Sequence, residues 1–299
     1  MADSNEQAPD RGKEDSWSWR VAAAEENAGL GLLYEPGNWG DILKGTWARI
    51  VTSLLPLEAS QQRVTCIDPW CGAPDYPLLE TTARRLDGLG SCRFIDSQRD
   101  WLEKGRLAST GSLIRQGLLE RELQVELRVF DSDPDRLDRW SEVPGTTALS
   151  ISSGEEALKE SEAELVLVDP YDFLASWEET LPLLDELAKS STVLVYIYNR
   201  APRGGQHTRD YNRFRDQLEQ LGSSYAAGRI GSDIVLPRAF HEMILLAPPG
   251  VTGLLEDELA RATRQLACKM STAGCFERGG PEGDLPQSIR AYRSRADSR

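Results

Sequence analysis

The chain has 299 residues, 40% hydrophobic and 27% charged, with a formal net charge of -14. That is enough for one large soluble α/β domain with an insert, or two small domains. The acidic balance argues mildly against a protein that coats itself in nucleic acid, since phosphate binding rests on Lys and Arg, and leaves room for one local basic face.

The five cysteines form no CxxC pair and the number is odd, which speaks against a zinc site and a disulfide framework. Two histidines are too few for His-rich metal chemistry, so no metal is expected. With no secretory h-region and no apolar stretch long enough for a bilayer, the expectation is a cytoplasmic protein, off the membrane and monomeric by default.

Met1 to about Ser16 is polar and acidic and reads as a disordered tail; Trp17 to Leu33 has room for one short helix, so 1–33 is set apart from the domain. Tyr34 to Leu55 has a turn at Pro36-Gly37-Asn38. Ile42, Leu43, Trp47, Ile50, Val51 and Leu54 then follow at helical spacing, with Lys44 pointing to solvent or to a site. Val64 to Ile67 is a strand broken by Asp68, Pro69 and Gly72. A strand followed by a turn with an acid and a glycine is where a nucleotide-like cofactor sits in doubly wound folds, although GxGxxG and GxxxxGK[ST] are both absent.

Asp75 to Leu123 carries helical patterns around Leu78–Leu86 and Leu113–Leu119, with no strand signal after Phe94-Ile95, and reads as a helical insert. Gln124 to Asp133 is a second strand ending in acids. Asp131 is a candidate acceptor for ribose hydroxyls; equally, Asp131 and Asp133 cap the helix from Pro134 to Trp140. Ala148–Ser153 is a weaker strand before a helix from Gly154 to Glu160.

Leu165 to Val168 is a short buried strand that stops at Asp169-Pro170-Tyr171. Either these residues stand at the ligand end of the sheet, or Asp169 caps the next helix and Pro170 starts it. A helix from Trp177 to Ala188 and a strand from Thr192 to Tyr198 follow. Asn199 to Arg215 carries Arg200, Arg203, Arg209, Arg213 and Arg215, the one basic segment, which fits either a solvated helix face or phosphate contact. Ser224–Gly231 and His241–Ala247 read as the last two strands, with Pro248-Pro249-Gly250 ending the sheet. A helix from Leu254 to Leu266 closes a domain of 34–276, and 277–299 reads as a second tail. Strand–helix repeats with a final close pair of strands predict a doubly wound sheet with an antiparallel last strand.

The segments PGNWGDILKG, CIDPWCGAPDY, STGSLIR, DPYD and MILLAPPG, in that order, resemble the bacterial 23S rRNA adenine-N6 methyltransferases of the RlmJ type, from Tyr34 to about Leu266. The resemblance implies a class I methyltransferase-like, Rossmann-like fold, S-adenosyl-L-methionine as cofactor, and a role in rRNA processing through RNA binding. The family's catalytic DPPY falls on Asp169, Pro170, Tyr171 and Asp172. Cofactor contacts fall on Lys44, Asp68, Trp70, Gly72, Ser112, Asp131, Ser153 and Gly154, and phosphates would meet Arg200, Arg203 and Arg209.

The chain also departs from that pattern. Gly45 and Trp70 replace histidines, Pro74 replaces a glycine, Ser153 replaces an acid, and DPPY has become DPYD. Two alternatives follow: a fold that has lost catalysis and serves as a binding module, or a methyltransferase for a protein or small molecule.

Overall fold

The computed structural model describes residues 36–150, 154–159, 162–199, 206–231, 239–272, 274–279 and 290–292. The tail and short helix expected before Tyr34 lie outside these residues. The chain enters through α1 (Trp39–Leu54), whose N-cap Asn38 accepts hydrogen bonds from the Gly40 and Asp41 amides. Gly37, at φ +77°, makes the turn before it, and its N–H donates to the Asp41 carboxylate at 2.8 Å.

The main sheet is built from β1 (Arg63–Asp68), β4 (Gln124–Asp131), β5 (Thr146–Ser150), β6 (Leu165–Val168), β7 (Thr192–Asn199), β8 (Ser224–Gly231), β9 (Phe240–Ala247), β10 (Gly274–Gly279) and β11 (Arg290–Tyr292). Their spatial order is β11-β10-β8-β9-β7-β6-β1-β4-β5. β5, β4, β1, β6 and β7 are parallel, and β9 runs antiparallel between β7 and β8. This is the doubly wound sheet with a late antiparallel strand that the strand–helix alternation implied. Val166, Val168, Val193 and Val195 face one apolar core, while Leu165, Leu167 and Leu194 face the other. Burial on both faces is why these strands read as continuous apolar runs.

Three expectations are corrected. The insert after β1 is not purely helical. β2 (Asp75–Pro77) and β3 (Arg106–Ala108) pair as a small antiparallel ribbon around α2 (Glu80–Leu89) and α3 (Arg93–Leu102), and α4 (Thr110–Leu119) follows. Phe94 and Ile95 belong to α3, where their apolar pair faces the core; two adjacent apolar residues do not separate a strand from a helix face. The proline pair ends β9 but not the sheet: Pro249 opens α9 (Pro249–Lys269), where a missing N–H costs no helical bond. β10 and β11 then add to the edge beyond β8; β10 runs across the boundary expected at 276, and β11 lies inside the stretch that reads as a tail.

α5 (Pro134–Ser141) and α6 (Gly154–Lys159) follow β4 and β5. α7 (Phe173–Leu187) and α8 (Gln206–Leu218) cover the valine face, and α1, α4 and α9 the leucine face. Trp47 of α1 donates its indole N–H to Thr263 of α9 at 3.1 Å in the buried core, which fixes α1 over the sheet.

Glu242 on β9 is fully buried and faces Arg215 at 3.5 Å, Arg229 at 3.6 Å and the Tyr211 hydroxyl at 3.1 Å. Glu277 on β10 pairs with the same two arginines, so this network ties the C-terminal strand to β8, β9 and α8. Removing one member of a buried ion network leaves the others uncompensated. Glu242→Ala should therefore lose roughly 3–5 kcal/mol in urea unfolding; a loss below about 1 kcal/mol would mean the network adds nothing to stability.

Candidate active site

The chemistry-bearing residues gather at the carboxyl ends of β1, β4, β6 and β7, where ligands bind in open α/β sheets. Asp68 ends β1 and is 2% exposed. It accepts the Trp70 amide at 3.3 Å, and its other oxygen lies where a Cβ on Gly111 would come within 2.8 Å. Glycine at 111 thus lets the first turn of α4 approach the carboxylate with bare backbone. Burial, with the Asp169 charge second, pushes Asp68 up to about 8.

Asp169 follows β6. Its Oδ2 lies 2.5 Å from Lys44 Nζ, and Lys44 also meets Asp41 at 2.9 Å. Lys44 is 7% exposed, with its ammonium 4.6 Å from the centre of the Tyr196 ring. Of the two orientations open to Lys44 in the sequence, the structure gives the one toward the site. Burial raises Asp169 to about 6, and the Lys44 ammonium beside it holds it from rising further. Helix α7 begins only at Phe173, with Asp172 as its N-cap residue. Asp169 is therefore no helix cap, and Pro170 does not start the helix. Tyr171, next in the chain, is 63% exposed.

Asp131 ends β4 and is bonded on both oxygens: Oδ1 accepts the Asp133 amide at 2.9 Å, and Oδ2 pairs with Arg136 at 3.2 Å. Asp133, not Asp131, caps α5. Each carboxylate oxygen of Asp131 keeps a second lone pair for a ligand.

Gly72 has φ +57°, and its carbonyl accepts from the Trp140 indole at 2.9 Å. Ser112 donates to the Pro74 carbonyl at 2.6 Å, which also accepts the Ser109 amide at 3.0 Å, so Ser112 fastens the turn after β1 to α4. Trp70 lies against Gly154: a Cβ there would meet its ring at 2.2 Å.

Ser153, Arg200 and Arg203 lie outside the described residues. Arg209 is exposed on α8. Two other arginines of that basic segment are engaged: Arg213 pairs with Glu178, and Arg215 belongs to the Glu242 network. The sequence also missed Tyr196 and His241, whose hydroxyl and Nδ1 share a 2.6 Å hydrogen bond behind Lys44. Only the β7–β9 pairing brings them together, and no local pattern announces it.

The fold is a doubly wound α/β sheet, mostly parallel, with β9 antiparallel between β7 and β8. No family model matches the chain, and no curated protein matches its sequence. The chain is similar in structure to protein LPL1258 of Legionella pneumophila strain Philadelphia 1, described under the family model DUF519. The TM-score is 0.62 and the identity 12%, over 83% of this chain and 99% of that one. At that identity the likeness is one of fold alone. A fainter likeness, with a TM-score of 0.32 and 8% identity, links 72% of this chain to 77% of TYW2 from M. jannaschii in complex with AdoMet. Among the described residues, no helix is long and apolar enough to cross a membrane.

Two outcomes follow from the charges. Lys44→Met should move the Asp169 titration, followed by carboxyl NMR, upward from about 6; an unmoved titration would separate the pair. Asp68 lies above its unfolded value, so the folded state holds its proton more tightly. Its stability contribution is full below the unfolded pKa and is lost as pH rises toward about 8. Asp68→Asn should therefore gain thermal stability relative to wild type as pH rises from about 4 to about 9. A constant difference across that range would refute it.

Proposed function

We propose that the protein is an S-adenosyl-L-methionine-dependent methyltransferase whose acceptor is the exocyclic amino nitrogen of adenine in RNA, in the first instance ribosomal RNA. The observation that carries this reading is the Asp169 carboxylate at the end of β6, paired with buried Lys44 and followed by exposed Tyr171. An adenine amino group is a poor nucleophile because its lone pair is delocalised into the ring. It needs acceptors for its N–H groups and a fixed orientation. Asp169 and the Pro170 carbonyl are assigned as those acceptors, and Tyr171 as a stacking ring for a base turned out of its strand.

The residues present fit the cofactor. Asp41, Asp131 and Asp169 face only Lys44 and Arg136 in the pairs above, so the site favours a ligand with positive centres. The buried Asp68 carboxylate, held up at about 8, is the group a cation would relieve most. Asp131 would hold the ribose. Asp68, Gly72 and the backbone at Gly111 would border the methionine portion, with Ser112 securing that wall; Trp70, Ser153 and Gly154 would line the adenine side. Bound there, the cofactor supplies a methyl group already activated by its sulfonium. Arg209, with Arg200 and Arg203, is assigned to phosphates.

A second reading, a binding module without catalysis, is favoured by Arg136 on Asp131 and by Trp70 covering Gly154, since both occupy places a cofactor would use.

Calorimetric titration with S-adenosyl-L-methionine and S-adenosylhomocysteine separates the two. The methyltransferase reading expects micromolar binding weakened at least tenfold by Asp131→Ala. It also expects radiolabel transfer to deproteinised ribosomal RNA that Asp169→Ala abolishes while leaving the fold intact. No binding at millimolar ligand would favour the module; full activity in Asp169→Ala would remove Asp169 from the chemistry.

A further inference from the structure

Lys44 carries its ammonium on a long flexible stem that has many rotamers to choose from. The rotamer observed serves both Asp169, 2.5 Å from Nζ, and Asp41, 2.9 Å away. A residue from the sheet shapes that choice. The ammonium stands 4.6 Å from the centre of the Tyr196 ring, so the ring face walls one side of the space the charge occupies and attracts it.

Tyr196 is itself held in place. Its ring packs from β7 against the core on the leucine face. Its hydroxyl shares the 2.6 Å hydrogen bond with His241 Nδ1. His241 stands opposite Tyr198 in the β7–β9 register, and those two rings stack at 4.8 Å and 15°, which fixes the imidazole plane. Gly40 admits the Tyr196 hydroxyl to the first turn of α1, since a Cβ at position 40 would lie 2.1 Å from it. The phenol therefore meets α1 one turn ahead of Lys44, on the helix that carries the ammonium.

Both partners of the Tyr196–His241 bond are neutral at physiological pH. Burial pulls His241 down to about 4 and raises the Tyr196 phenol above its usual range. The charged groups around Asp169 are Lys44 and Asp41 from α1 and Asp68 from β1; Tyr196 of β7 and His241 of β9 stand behind Lys44. Removing the Tyr196 ring takes away no charge, so its influence on Asp169 runs through the position of Lys44. From this arrangement we infer that Tyr196 is a positioning residue: seated by His241 and Gly40, it holds the Lys44 ammonium on Asp169, so that the turn after β6 presents a carboxylate acceptor. An ionised carboxylate accepts from an amino group on either oxygen, whereas a protonated one offers an O–H in competition. The inference rests on the proposed function for its meaning, and its test uses neither cofactor nor nucleic acid.

Carboxyl NMR of the full chain follows the Asp169 titration. Tyr196→Leu should raise it from about 6 by about one pH unit, in the direction that Lys44→Met sets. Tyr196→Phe, which keeps the ring, should stay closer to wild type than to Tyr196→Leu. With Lys44→Met already in place, Tyr196→Leu should add nothing further, which separates a displaced ammonium from a general loosening of the fold. The wild type supplies a reading that needs no variant to fold: the Lys44 ε-methylene protons should resonate upfield of ordinary lysine, through the ring current of Tyr196. An unmoved Asp169 titration in folded Tyr196→Leu, an equal rise when Lys44→Met is present, or ordinary lysine shifts in the wild type would overturn the role. A titration that moves as expected in a protein without methyl transfer would keep the positioning role and count against the methyltransferase reading alone.

Discussion

The ion pair between Lys44 and Asp169 is the constraint on which the site depends. It joins the first described helix to the end of β6, across 125 positions of sequence. Each charge is costly to bury: Lys44 is nearly buried and is shared between Asp169 and Asp41, and Asp169 is raised by burial and by the Asp41 charge. Pairing solves both problems and fixes a distance. α1 cannot shift over the sheet without separating them, and the Trp47–Thr263 bond holds the same helix from the other side. Asp68 has no such partner at bonding distance among the described ion pairs, so its charge falls to the proton it holds.

What sequence reasoning captured follows the range of the forces involved. β1, β6 and β7 are largely buried and appear as short apolar runs; β4 shows as an alternation ending in acids, and β5, mostly exposed, shows only weakly, with Ala148–Ser153 expected where Thr146–Ser150 forms the strand. Asp68 and Asp131 end their strands and Asp169 follows its own, where the breaks in the apolar pattern fall. Two helix starts lie earlier than expected: α7 already carries buried Phe173 and Leu174 ahead of Trp177, and α9 begins at Pro249, ahead of Leu254. The ribbon of β2 and β3 has only three residues a side, too few for alternation to show. β10 is short, its burial does not alternate, and it holds its acid, Glu277, inward against Arg215 and Arg229. The partners of the candidate site were the least legible. Nothing near Tyr196 marks His241 as its neighbour, and nothing near Lys44 marks Asp169.

The charge of the molecule needs the same distinction between local and global. The segment after β7 is a basic stretch in the sequence, yet Arg213 and Arg215 face carboxylates supplied by other elements. A run of cations in sequence is therefore a poor guide to a basic surface. At the strand ends the imbalance runs the other way, and its acids come from four separate elements: α1, β1, β4 and the turn after β6.

The contact between Trp70 and Gly154 has an evolutionary reading. The indole lies where any side chain at position 154 would have to go, so the two positions share one volume. A lineage that acquired a side chain at 154 would first need a smaller residue at 70, and a lineage fixed on tryptophan at 70 has forfeited every alternative to glycine. The two sites are thus expected to drift as a single character. The order of substitutions is constrained as well, with the turn after β1 having to change first.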